Sequence, residues 1–232
     1  MNQVRVSPLE SAFLQVRESN ASLGERLQVI ADVARDQRPE YSRAIDSFAG
    51  RLEAVRAGAG APAVGDPMPL FVLPDQDGRL VLLEDLTRQG PVVIAFHRGH
   101  WCPFCRMAMT GLTEIEEQAK PAQIVAISCE LPRYTRRIRE EAGASFPFLS
   151  DMDARYTLSL KLAAWLDDTL TRIISEAGFD IPVYQGGGDW ILPIPSVFVV
   201  DTHGIVTARH IDPDYRRRME LDDLLNEIAR VC

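Results

Sequence analysis

The sequence predicts an α/β fold, a mixed central sheet flanked by helices with a helical extension in front of it. Three observations predict it. The apolar run Pro91-Val92-Val93-Ile94-Ala95-Phe96 reads as a buried strand, and a helical pattern, Arg106 to Ile115, follows two cysteines just behind it. A second buried strand, Gln123 to Ser128, leads to a helix from about Pro132 to Glu141 that stops at Gly143. Near the end, 196–200 and 205–208 flank Asp201-Thr202-His203-Gly204 as a hairpin, and a last helix runs from about Arg216 to Arg230. Apolar runs without alternation mark strands covered on both faces. Strand–helix–strand–helix followed by a hairpin and a helix is a layered α/β arrangement.

The extension comes first in the chain. Ser7-Pro8-Leu9-Glu10 and Ser22-Leu23-Gly24-Glu25 are capping boxes, each followed by apolar residues at helical spacing: Leu9, Phe13 and Val16, then Leu23, Leu27, Ile30 and Ala34. A third stripe, Ile45, Phe48, Leu52 and Val55, follows Pro39. Ala57-Gly58-Ala59-Gly60-Ala61-Pro62 is a linker by composition. These features divide the chain into a helical arm, 1–60, and a main domain, 61–232. Such stripes must be buried, on the main domain or on a second subunit. Within the main domain, 70–73 and 80–83 read as a further hairpin around Asp75-Gln76-Asp77-Gly78. An insert spans about 158–193; in it Leu162, Leu166, Leu170, Ile173 and Ala177 mark an amphipathic helix and Gly186-Gly187-Gly188 a turn.

Composition narrows the function. The chain has 232 residues, 46% hydrophobic and 25% charged, with a net charge of −8. An acidic chain is a poor partner for nucleic acid or an anionic membrane, since both select a basic face. No apolar stretch is long enough to span a bilayer and the N-terminus has no apolar signal core, so a cytoplasmic setting is expected. Four cysteines in a chain this long do not make a disulfide scaffold, and in a reducing compartment Cys-x-x-Cys is catalytic or metal-binding. Zinc requires about four ligands, usually two such pairs; only one pair exists, so no metal and no organic cofactor are expected.

The remaining reading is redox. Cys102 and Cys105 open a helix directly behind a strand. Unpaired N–H groups and the positive dipole end favour a thiolate there. A cysteine pKa can then fall below its free value of about 8.5. A second thiol one turn along is close enough to form a disulfide.

With these residues in place, the segment His97-Arg98-Gly99-His100-Trp101-Cys102-Pro103-Phe104-Cys105 resembles the peroxiredoxin-like (AhpC/TSA-type) branch of the thioredoxin superfamily, whose members often carry a Tyr/His-Arg-Gly-x-Trp-Cys-Pro-x-Cys segment. Gly65-Asp66-Pro67-Met68-Pro69 through Gly78 is similar to that family's start, and Pro195-Ser196-Val197-Phe198-Val199-Val200-Asp201 to its return strand. The resemblance covers roughly residues 62–232 and implies a thioredoxin-like fold and an antioxidant oxidoreductase. It leaves open which cysteine attacks. By thioredoxin logic Cys102 is the nucleophile and Cys105 resolves. By peroxiredoxin logic the peroxide-reactive cysteine falls on Cys105 and Cys102 takes the place of a Thr. The family's upstream Pro falls on Arg98 and its distant Arg near Pro195; thioredoxin's buried Asp falls on Phe96, with His97 as the substitute. The resemblance also implies a cis Pro195 facing the cysteines.

The supporting set is therefore Arg98 as a thiolate-stabilising cation or a surface ion pair, Trp101 as packing or substrate contact, His97 or His100 as a proton shuttle, and Pro195. Cys129 ends the neighbouring strand as a possible third thiol, although a small buried residue is the simpler reading. Cys232 is the terminal residue, and Arg136-Arg137-Ile138-Arg139 reads as a solvated helix face. The leading expectation is a thiol-dependent enzyme that reduces a peroxide or a disulfide and is restored by an external thiol, with a homodimer as its assembly. The alternative is a non-catalytic binding or dimerisation module on the same fold.

Overall fold

The computed structural model describes residues 7–232. Its centre is a five-stranded mixed sheet in the order β5-β4-β3-β8-β9. Strands β3 (Val92–Phe96), β4 (Gln123–Ser128) and β5 (Phe148–Ser150) run parallel, while β8 (Ser196–Val200) and β9 (Val206–Ile211) are antiparallel additions. The crossovers are α5 (Pro103–Glu114) and α6 (Pro132–Ala142), and α10 (Leu221–Ala229) closes the chain. Both expected hairpins form: β8 with β9, and β1 (Val72–Pro74) with β2 (Leu80–Leu82).

The apolar strands divide their side chains between two layers, as the pleat requires. Val93 and Ala95 of β3, with Ile124 and Ala126 of β4, face the α5 side. Val92, Ile94 and Phe96, with Val125 and Ile127, face a second core that includes Leu83, Tyr156 and Phe198. Gly143, in the left-handed region at φ 70°, ends α6 at the expected place.

The arm consists of α1 (Pro8–Arg17), α2 (Leu23–Gln37) and α3 (Pro39–Ala54). Ser22 and Glu25 form a reciprocal capping box, and Ser7 caps α1 by accepting from the Glu10 N–H. The stripe Phe13, Val16, Leu23, Leu27, Ile30 and Ile45 is buried in the same cluster as Phe104 and Met109 of α5. The arm thus packs on the main body, fixed by charge as well: Arg106 of α5 bonds both carboxylate oxygens of Glu10 at 2.8 Å and also pairs with Glu141.

The insert differs from expectation. Residues 163–165 are not helical; β6 (Ala163–Trp165) pairs antiparallel with β7 (Ile191–Pro193). Helix α8 spans only Asp168–Glu176, because the Asp167 side chain accepts from the Leu170 N–H at 2.9 Å and fixes the start there. Helices α4 (Leu83–Thr87), α7 (Arg155–Ser159) and α9 (Ile181–Gln185) are short additions that periodicity over longer windows does not register. The last helix starts at Leu221 rather than near Arg216, since Arg216 is drawn to Asp214 and Asp46 ahead of it.

Candidate active site

In an open α/β sheet, functional groups gather beyond the carboxyl ends of the parallel strands. Here β3 ends at Phe96 and delivers the loop 97–102; β4 ends at Ser128 and delivers Cys129 and Glu130 beside it. The His97 N–H still bonds the Ile127 carbonyl at 3.0 Å, so the loop leaves the sheet under control. Cys102 is the N-cap residue of α5, Pro103 occupies the first turn, where its missing N–H costs nothing, and Cys105 follows one turn in.

Both thiols are free and buried. They differ in access. Cys102 lies on the wall of a cavity of about 340 Å³ formed by α1, the α2–α3 corner, α5 and the α8 region, lined by Leu9, Tyr41, Trp101, Ile174 and Phe179 among others. Cys105 does not line it. They differ in electrostatics too. Burial pushes the Cys102 pKa up, but a hydrogen bond from the Cys105 thiol and the charges of Arg98 and Arg218 outweigh it, bringing Cys102 to about 6. Burial, then the bond to Cys102 and its charge, push Cys105 well above its ordinary value.

Arg98 is buried and no surface ion pair. Its guanidinium lies 3.7 Å from the Tyr215 ring centroid and 4.9 Å from that of Trp101, and Nη1 is 3.9 Å from the Cys102 sulfur. It has no carboxylate partner among the described residues. Its backbone N–H donates to the Cys105 sulfur at 3.3 Å. Tyr215 in turn shares a hydrogen bond of 3.0 Å with Tyr41 of α3, so the arm buttresses the cation. Trp101 packs against Phe179 of the insert at 5.7 Å.

The other expected residues fare differently. His97 is buried with neither ring nitrogen hydrogen-bonded, and burial lowers its pKa to about 3, so it stays neutral and cannot stand in for a buried acid. His100 is not a free shuttle; its ring is bound to Glu130. Pro195 is buried near Arg98 and Tyr215, but its peptide is trans; the cis X–Pro bond among the described residues is Lys120–Pro121. Trans is the intrinsically favoured isomer, and here the Ile194 N–H bonds the Leu162 carbonyl at 2.6 Å, tying the segment to the insert. Cys129 faces Thr157, 3.9 Å away, in a small cluster with Ala154 and Ile191, and burial raises its pKa, so it is inert packing. We expect Cys129→Ala to leave turnover unchanged in a steady-state assay. Cys232 is exposed; of the run 136–139, Arg136 and Arg137 face solvent as expected, whereas Ile138 is buried in the core.

Residues that sequence reasoning missed complete the site: Glu130, Tyr215, Tyr41 and Arg218, whose Nη2 lies 3.8 Å from the Cys105 sulfur. Arg218 had a faint signal, a basic run beyond the last strand; the others had none, because their roles depend on long-range packing.

Comparisons with known proteins point to one family. Residues 64–209 match the AhpC/TSA family. Peroxiredoxin Bcp of Escherichia coli (strain K12) is 35% identical over 164 residues, covering 70% of this chain and 92% of that protein. A thiol:disulfide interchange protein DsbE homologue of Paracoccus denitrificans is 28% identical over 171 residues, covering 72% and 75%. The crystal structure of peroxidoxin BcpB from Mycobacterium tuberculosis shares the fold, with a TM-score of 0.58 at 21% identity, covering 74% of this chain and 99% of that one. A mixed five-stranded sheet that presents two thiols at a helix start, matched along most of its main domain, places this chain in the AhpC/TSA family, the peroxiredoxin-like branch of the thioredoxin superfamily.

Proposed function

We propose that the protein is a thiol peroxidase or thiol–disulfide oxidoreductase in which Cys102 attacks and Cys105 resolves. One observation carries the assignment: the buried Arg98 guanidinium, held between two aromatic rings, lies 3.9 Å from the Cys102 sulfur and has no carboxylate partner among the described residues. A buried cation without a partner is strongly unfavourable, so the site is consistent with an ionised Cys102. The same observation disfavours a purely non-catalytic module, which has no use for a thiolate at the wall of a cavity.

The chemistry then follows. The Cys102 thiolate attacks a peroxide oxygen, the O–O bond breaks, and the leaving oxygen departs as alcohol or water once protonated. The resulting sulfenic acid is attacked by Cys105, water is lost, and a Cys102–Cys105 disulfide forms. With a disulfide substrate, attack gives a mixed disulfide that Cys105 resolves, releasing the substrate thiol. An external dithiol restores the pair in both cases. The relatives include proteins named for each activity, and peroxide reduction is the reading favoured by the more identical match, 35% against 28%, which also spans more of its relative, 92% against 75%.

Thiol alkylation against pH tests the order of attack. Thiolate at Cys102 is lost as pH falls through about 6, so alkylation of the reduced protein should titrate with that midpoint and map to Cys102. A midpoint near the free value of about 8.5, or modification at Cys105 first, would refute the assignment. Peroxide consumption and disulfide exchange measured side by side on the same sample decide between the two substrates.

Assembly and setting belong to the same proposal. Among the described residues no helix is long and apolar enough to cross a membrane. Because the arm spends its stripe on the main body, a homodimer would use other apolar surface; Leu70, Val72 and Leu80 around the β1–β2 hairpin are exposed. Sedimentation of the intact chain measures whether a dimer forms. A cytoplasmic location fits the need for a thiol reductant.

A further inference from the structure

Each sulfur of the pair has an arginine of its own. Arg98 Nη1 lies 3.9 Å from the Cys102 sulfur, and Arg218 Nη2 lies 3.8 Å from that of Cys105. Cys105 is fully enclosed, and its sulfur accepts a second hydrogen bond, from the Arg98 backbone N–H at 3.3 Å. A thiol sulfur is a weak acceptor, so two N–H donors converging on it suit a thiolate better. Arg218 belongs to the segment between β9 and α10. Its Nη1 donates to the Tyr215 and Arg217 carbonyls, which fixes the guanidinium and leaves Nη2 for the sulfur. The nearby acids are taken: Asp214 pairs with Arg216 and Arg217, and Asp32 with Arg35, which lines the same groove as Arg218. Among the described residues Arg218 has no carboxylate partner.

The titratable and charged groups around Cys105 and Arg218 are Cys102 at the start of α5, His97 and Arg98 from the loop after β3, Glu130 after β4, His210 of β9, Tyr215, and Arg35 of α2. Glu130 is bound to His100. Two thiolates one turn apart repel, so the reduced pair carries one negative charge, on Cys102, and Cys105 stays a thiol. Besides burial, what keeps Cys105 protonated is its bond to Cys102 and the charge there. Oxidation of Cys102 to a neutral sulfenic acid removes that charge. The two arginines remain, and Arg218 is the one whose side chain touches Cys105.

We propose that Arg218 is a catalytic residue of the resolving step: it holds the negative charge of Cys105 while that sulfur attacks the oxidised Cys102. This rests on the order of attack proposed above. The Cys102 thiolate takes one peroxide oxygen, the O–O bond breaks, and the leaving oxygen gains a proton from solvent while Cys105 releases one to it. The charge has then passed from one sulfur to the other. The Cys105 thiolate bonds the Cys102 sulfur as the S–O bond breaks, and the departing hydroxide is protonated by solvent to water. The dithiol loses two electrons and the peroxide gains them. On reduction, a thiolate of the external dithiol attacks the Cys102 sulfur, the S–S bond breaks, and Cys105 leaves as a thiolate onto Arg218; the second thiol of the reductant then releases Cys102.

Formation and decay of the Cys102 sulfenic acid, followed against pH by trapping and mass mapping after one equivalent of hydrogen peroxide, test this role. In Arg218→Met the pH at which decay levels off should rise by about one unit, the low end of what an adjacent opposite charge supplies, because Arg218 is only half-buried. On the acid side decay should slow about threefold, since tenfold less thiolate is offset about threefold by its greater nucleophilicity. The midpoint of formation, which depends on Arg98, should move by less than about half a unit, and Arg218→Lys should return the decay midpoint to within about half a unit of wild type. An unmoved decay midpoint, an equal shift of both steps, or a lysine variant no better than methionine would overturn the proposal while leaving the order of attack intact; sulfenic acid mapped to Cys105 would overturn the order itself. If Arg218→Met does not fold, wild type decides. Its decay should level off below the free thiol value of about 8.5, and a rise that continues past that value would sink the idea.

Discussion

Cys102→Ser removes turnover by several orders of magnitude, to the level of free solution chemistry, because a serine hydroxyl at that helix start is neither ionised by Arg98 nor reactive toward a peroxide. Cys105→Ser behaves differently. It retains the thiolate, the cation and the cavity, so it should consume one equivalent of peroxide in a burst and stop, with a trappable sulfenic acid on Cys102. Excess dithiol in the assay should restore part of the turnover by attacking that intermediate from solution. The pair of results is read by stopped-flow peroxide consumption with mass analysis of the stalled protein. A burst in Cys102→Ser and none in Cys105→Ser would reverse the roles and return the site to the peroxiredoxin-type alignment.

Arg98→Met is expected to slow attack in a way that depends on pH in a definite direction. Without the guanidinium, burial is less opposed and the Cys102 pKa rises from about 6 toward or beyond the free value. Taking about 8.5 as the new value, the thiolate population at pH 6 falls from about half to well under 1%. The more basic thiolate is intrinsically more nucleophilic, with a Brønsted slope of about 0.4–0.5, which returns about tenfold. The net loss is therefore about tenfold at pH 6, vanishes near about pH 7.5 and turns into a gain of a few-fold by about pH 8. Attack rates measured across this range on the folded variant give the profile. A loss that is independent of pH would mean that Arg98 acts on the departing oxygen rather than on thiolate population. Methionine matches the stem packed between Trp101 and Tyr215, so the rings keep a partner.

Much of the fold could be read from the sequence because its signals are local. Continuous apolar runs gave β3 and β4, Asp-Gly and His-Gly turns gave the hairpins, and Ser–Glu spacing gave α1 and α2. The insert was misread at 162–166 because five apolar residues at helical spacing concealed a strand whose partner, β7, lies far along the chain. The cysteine pair was legible since a helix start acts on residues next to it. Arg98 was visible as a residue but not as a buried cation: its burial depends on Tyr215 and Tyr41, one following the last strand and one in the arm. Glu130 was silent for the same reason. It meets His100 only because parallel pairing of β3 and β4 sets their two end loops side by side. The cis Pro195 carried over from the resemblance did not hold in this chain.

The aromatic sandwich around Arg98 has an electrical consequence. When the two sulfurs join, the negative end of its ion pair disappears, and the guanidinium is stranded between Trp101 and Tyr215 with no carboxylate among the described residues to neutralise it. The oxidised form is thereby raised in free energy over the dithiol, which shifts the redox couple toward the oxidising end of the thiol scale. Even a weak electron donor should then suffice to recharge the protein after each cycle.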